Sequence, residues 1–180
     1  MIDVAVAYNK YKFAGYEFLT WIWFLTETDN KYIEETAGDI KEFYIGDKIV
    51  IENFKEDSSE KITISGDKAN LDEGALALKK GALVTEMKII LKTMDDKDIK
   101  FNIKGESLDI SGFNILKHKF SSSPEEIEGS VIEKVYFMEL LTGIVDKLFQ
   151  KFILLRISDK WTNTELSKIS RWIDERNKSF

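Results

Sequence analysis

The sequence predicts an α+β fold: a mainly antiparallel sheet of two hairpin units with a short helix between them, packed against an aromatic N-terminal helix and a long C-terminal helix. Two observations carry this. Apolar residues recur every three to four positions in the first and last thirds but every second position in the middle third, a change from helical to strand period. The one proline, Pro124, sits in the stretch SSSPEE, where it fits the first position of a helix.

The elements follow in order. The stretch KFAGYEFLTWIWFLTE, Lys12 to Glu27, reads as a helix. Its face Phe18, Trp21, Ile22 and Leu25 is flanked by Leu19, Trp23 and Phe24, too wide a stripe for contact with one sheet alone. Two roles fit it: a helix sandwiched between the sheet and the long helix, or one that turns a tryptophan edge to a second subunit. Base stacking needs exposed rings in a basic groove, and Glu17 and Glu27 work against that.

Next, Phe43 to Ile45 and Ile49 to Ile51 flank Gly46-Asp47, a pair suited to a type II′ hairpin turn. Lys61 to Ser65 is a further strand. NLDEGALALKKG gives a short helix closed by Gly81 as a left-handed cap. Leu83 to Met94 and Ile99 to Lys104 form a second hairpin around the acidic turn Asp95 to Asp98, followed by a short strand at Leu108 to Ile110.

The long helix starts with Ser123 as cap and runs to Ile157. It carries Val135, Met138, Leu141, Val145, Leu148, Phe152 and Leu155 on one face, with extra apolar residues such as Phe137, Leu140 and Ile144 beside them. So much apolar surface makes this helix either central to the fold or shared with a partner subunit. A last helix, Thr162 to Lys178, is capped by Thr162 or Asn163 and turns Leu166, Ile169, Trp172 and Ile173 to the body.

Composition narrows the function classes. A chain of 180 residues, 43% hydrophobic and 32% charged, fits one globular domain spanning residues 1–180. The absence of cysteine removes disulfides, thiolate catalysis and cysteine metal clusters, and the single histidine, His118, supplies neither a triad nor a multi-histidine metal site. No Gly-rich phosphate loop or nucleophile elbow occurs, so the expectation is a protein that is not an enzyme and needs no cofactor or metal. Met1 to Asn9 lacks a secretion signal, and charges such as Glu139, Asp146 and Lys147 break the apolar run Val135 to Leu155, so no membrane association and a cytoplasmic location are expected. A net charge of -6 argues against a wholly basic coat but allows a local positive patch.

The second hairpin offers such a patch. Pairing Leu91 with Phe101 and Ile89 with Ile103 keeps apolar opposite apolar, and sets Lys92 opposite Lys100, Lys88 opposite Lys104 and Glu86 opposite Glu106. Four lysines then crowd one face. Like charges directly opposite destabilise a sheet by roughly 0.2–1 kcal/mol per pair, which suggests binding of a phosphate backbone; the alternative is a lysine-bearing strand that stays soluble and blocks edge pairing.

The segment GYEFLTWIWFLTE also resembles the G-x-EFLTWLW-x-x-SE pattern of the RdgC family, recombination-associated bacterial proteins. The match occupies Gly15, Glu17 to Trp21, Trp23 and Glu27, with Ile22 and Thr26 as conservative departures. Weaker agreement follows in order at GDKIVIENF, GALVTEMKIIL, LDISGF and LFQKFILLRISDKW. The resemblance implies a non-enzymatic protein that binds duplex DNA with little sequence preference, forms a homodimer closed into a ring, and restrains a recombinase at the nucleoid. Members of the family are longer, with an additional N-terminal portion. On this reading Lys88, Lys92, Lys100 and Lys104 contact phosphates, while Trp21, Trp23, Phe137, Leu140 and Ile144 build the interface between subunits. The alternative is a protein-interaction or scaffold module with an acidic surface that ignores DNA.

Overall fold

In the computed structural model, residues 13–55, 58–65, 69–115 and 124–177 are described. Helix α1 (Phe13–Thr28) and helix α2 (Asn30–Ala37) precede strands β1 (Ile40–Lys55) and β2 (Ser58–Ser65). Helix α3 (Ala69–Lys79) leads into β3 (Leu83–Thr93), β4 (Asp98–Lys104) and β5 (Ile110–Ile115). The long helix α4 (Pro124–Arg156), a π turn (Trp161–Glu165) and helix α5 (Leu166–Arg176) complete the chain. The strands form one antiparallel sheet in the order β2-β1-β3-β4-β5. Alternation gives the sheet an apolar face, with Phe43, Met87, Ile89, Leu91, Ile99, Phe101 and Ile103, that joins the buried residues of the helices in one core. The fold is α+β, as the change of period predicts.

Helix α1 lies inside this core, and its two tryptophans serve different sides. Residues two apart on a helix point about 200° apart. Trp21 accordingly packs on Phe152 of α4, with ring centroids 5.6 Å apart, while Trp23 meets Trp172 of α5 edge-on at 5.4 Å. Trp23 also crosses α3 at Gly74, where a Cβ would come within 2.8 Å of the indole. Both tryptophans are buried.

Two carboxylates of α1 fasten it to the later helices. Glu17 accepts from Arg156, with 2.6 Å to Nε, and that guanidinium lies over the Trp161 ring. Glu27 accepts from the indoles of Trp23 and Trp172 and from the fork of Arg176, whose two hydrogen bonds measure 2.7 and 2.6 Å. At the other end, the Gly15 backbone touches Gly105 between β4 and β5 so closely that a Cβ would sit 1.8 Å from the Gly105 carbonyl oxygen. Gly15, Glu17, Trp21, Trp23 and Glu27 thus each have a packing or hydrogen-bonding role.

Several expectations are corrected. Gly46-Asp47 is not a hairpin turn: β1 runs through it, and Gly46 is not among the glycines of positive φ that a type II′ turn requires. Instead β1 uses four steps, Ile45 to Ile49, where β3 uses two, Ile89 to Met87, so residues 46–48 bulge. The first hairpin closes between Lys55 and Ser58. The last strand is Ile110–Ile115 rather than Leu108 to Ile110, because Leu108, at φ 59°, belongs to the turn. Helix α2, unforeseen, is capped by Asp29, whose side chain accepts from the Tyr32 N–H. Neither Thr162 nor Asn163 caps the last helix, since both lie within the π turn that leads into it, and Leu166 is exposed. Gly81, at φ 88°, does close α3. The expected cap Ser123, and His118, lie outside the described residues.

Candidate nucleic-acid interface

Lys88, Lys92, Lys100 and Lys104 share the sheet face opposite the core, as their alternation with Ile89, Leu91, Phe101 and Ile103 requires. Their expected partners across the hairpin are two residues out. Met87 pairs with Ile103, Ile89 with Phe101 and Leu91 with Ile99; Lys88 therefore faces Asn102, Ile90 faces Lys100, Lys92 faces Asp98 and Glu86 faces Lys104. No lysine stands opposite another in this hairpin. Both registers keep apolar opposite apolar, since a shift of two leaves every side chain on its own face. The turn makes the choice. The Thr93 N–H donates to the Lys97 carbonyl at 2.9 Å, and Asp96 adopts φ 62°, closing a tight loop through a left-handed residue.

The four lysines divide into two pairs. Lys88 binds Asp47 of the β1 bulge at 2.8 Å, and Lys92 lies 3.9 Å from Glu42 and 3.8 Å from Asp96. Lys88 holds the Asp47 carboxyl below its ordinary pKa, and the hydrogen bond from Lys41 does the same for Asp96. Lys100 and Lys104 form no ion pair among the described residues. Glu86, opposite Lys104, is already engaged by Lys48 at 2.8 Å. Lys104 borders a cleft of about 220 Å³ with Glu52, Lys61, Glu86 and Glu106. Tyr44 stands in the same face, its hydroxyl pKa raised by burial and then by Asp98 and Glu42. The face is thus a lattice of both signs rather than a bare cationic stripe. Asp47, Glu42 and Asp96 are not legible as parts of it in the sequence, because the first lies in a bulge and all three depend on a register that alternation leaves open.

The interface assignment changes. Trp21, Trp23, Phe137 and Ile144 are buried within the chain's own core and leave no surface for a second subunit, and Leu140 is half-buried against that core. The surplus apolar width of α1 is used up by packing against the sheet, α3, α4 and α5.

Among the described residues no group of three or more His, Cys, Asp or Glu side chains is placed to hold a metal ion, and no helix is long and apolar enough to cross a membrane. No protein-family model matches the chain, and no curated protein matches it.

Proposed function

We propose that this chain is a non-catalytic protein that binds duplex DNA without sequence preference, through the lysine-bearing face of its sheet, and that it modulates recombination. The observation that carries the reading is the pair Lys100 and Lys104, cations on one strand that form no ion pair among the described residues, with Asp47 near Lys100 and Glu52, Glu86 and Glu106 sharing the cleft beside Lys104. Four residues along a strand separate them by about 13 Å, so they reach different phosphates. Lysines on a flat strand act as point charges suited to a repeating backbone rather than to a shaped anion pocket. Lys88 and Lys92 join only by exchanging Asp47, Glu42 and Asp96 for phosphate. The resemblance of the α1 segment extends the proposal to a homodimer acting on a recombinase.

A second reading, a protein-interaction module that ignores DNA, is favoured by the ion pairs of Lys88 and Lys92, which leave a face of mixed charge. The test is titration of an arbitrary labelled duplex across a salt series. Replacing Lys100 and Lys104 together by Ala weakens binding to every sequence alike and flattens the salt slope by about 0.9 for each phosphate no longer neutralised. An unchanged slope removes the lysine assignment, and no binding by the unaltered protein at low salt selects the second reading.

A further inference from the structure

An indole N–H can only donate, so a tryptophan enclosed in a core needs an acceptor beside it. Trp23 and Trp172 have one in Glu27. Trp21, 1% exposed, does not: its Nε1 is buried with no hydrogen-bond partner among the described residues. The same side chain lines a cleft of about 480 Å³, within the range of small-molecule sites. Phe24 and Leu25 of α1, Tyr32 of α2 and Leu155 of α4 supply its apolar walls.

The polar groups around this cleft are of two kinds. Most are engaged within the chain. The Thr28 hydroxyl donates to the Phe24 carbonyl at 2.7 Å, Asp29 accepts from the Tyr32 N–H at 3.3 Å as the cap of α2, and Lys168 pairs with Glu165 at 2.6 Å. Two are left over: Trp21 Nε1, and Lys160, which forms no ion pair among the described residues. Both are donors, and one is a cation. Lys160 stands exposed just before the π turn, a kind of helical irregularity found often at functional sites.

We infer that this cleft binds a small organic carboxylate, its apolar body against Phe24, Leu25 and Leu155 and its carboxylate shared between Lys160 and the Trp21 N–H. An acceptor is what the cleft lacks, and a negative charge matches the cation left unpaired. A cationic ligand would find Asp29 and Glu165 already engaged. Tyr32 packs edge-on against Trp21, with ring centroids 6.2 Å apart, and is 38% exposed. Its side chain turns aside to let the carboxylate reach the indole, a rearrangement of the kind that binding commonly brings. The cleft lies among the helices, across the sheet from the four lysines, so the inference stands whatever that face binds.

The test follows the indole resonances of the nitrogen-labelled full chain by NMR. The Trp21 N–H moves downfield as octanoate or naphthylacetate is added, further than those of Trp23 and Trp172. Lys160→Ala, at an exposed position, weakens octanoate binding about tenfold, the effect of losing one charge-assisted hydrogen bond, and leaves the binding of octanol as it was. Octylamine, the cationic counterpart, binds more weakly than octanoate. A Trp21 resonance that stays in place at millimolar carboxylate overturns the inference. So does equal affinity of the Lys160→Ala protein and the parent for octanoate, or octylamine that binds as tightly as octanoate.

Discussion

Trp172 donates its indole N–H to Glu27 Oε2 at 2.8 Å, so one carboxylate at the end of the first helix fixes the position of the last. With Trp23 and the Arg176 fork on the same group, Glu27 accepts four hydrogen bonds while only about a fifth of its side chain meets solvent (22%). An acceptor-only group is required there, because each of these partners is a donor.

Glu27→Gln therefore does more than remove a charge: its amide N–H₂ turns donors toward donors. Loss of about 2 kcal/mol or more is expected from chemical denaturation, and about 1 kcal/mol for Trp172→Phe after the change in packing is discounted. A Glu27→Gln protein as stable as the parent would show that the four bonds add nothing to the fold.

Gly15→Ala places a methyl group 1.8 Å from the Gly105 carbonyl oxygen, a backbone atom that cannot swing aside. Destabilisation beyond about 3 kcal/mol is expected. Gly129→Ala and Gly143→Ala, where nothing lies within 4 Å of the new carbon, act in the opposite direction by about 0.5–1 kcal/mol each. Equal effects at all three glycines would refute the close approach of α1 to the β4–β5 connection.

The β3–β4 turn carries an acid-sensitive bond. The buried Thr93 hydroxyl donates to Asp95 and is the main reason the Asp95 carboxyl titrates below its ordinary value of 3.8. A depressed folded-state pKa gives a contribution that is present above about pH 4 and disappears as the pH falls through the folded value. Thr93→Val brings the Asp95 titration, followed by NMR, back toward 3.8 and costs about 1 kcal/mol in stability at neutral pH. An Asp95 midpoint indifferent to the substitution would assign the depression to other groups.

Asp47→Asn tests the lattice of charges on the sheet face. It releases Lys88 from its 2.8 Å partner and adds one cation to Lys100 and Lys104. If the face binds duplex DNA, affinity rises and the salt slope steepens by about 0.9. Weaker binding, or the same slope, would mean Lys88 does not reach phosphate.

Much of the fold is legible in the residues, and the rest is hidden for identifiable reasons. The change from helical to alternating period locates α1, α3, β3, β4 and α4, and alternation puts Lys88, Lys92, Lys100 and Lys104 on one face correctly. What alternation does not carry is the pairing across the hairpin, which is decided by the Thr93 to Lys97 hydrogen bond and the left-handed Asp96. Gly46-Asp47 has the composition of a turn yet lies in a bulge, where Gly46 gives room to the Lys88 stem, 3.1 Å from a would-be Cβ. Helix α2 is too short for its period to stand out, and Asp29 as a cap is its one local sign. The aromatic residues look surplus in the sequence because their number is visible there and their enclosure is not: Trp21 and Trp23 are covered by Phe152 and Trp172, far along the chain.

That distance bears on how the protein is made. The partners of Glu27 on α5 lie 145 residues downstream for Trp172 and 149 for Arg176. During synthesis the most aromatic helix is therefore made well before the residues that enclose it. The sheet, with most neighbouring strands joined by short connections, can assemble while the chain is still growing, but closure of the core waits for Phe152 and Trp172. Until they emerge, α1 is the segment most in need of shelter, and the nascent chain is exposed to aggregation through that helix.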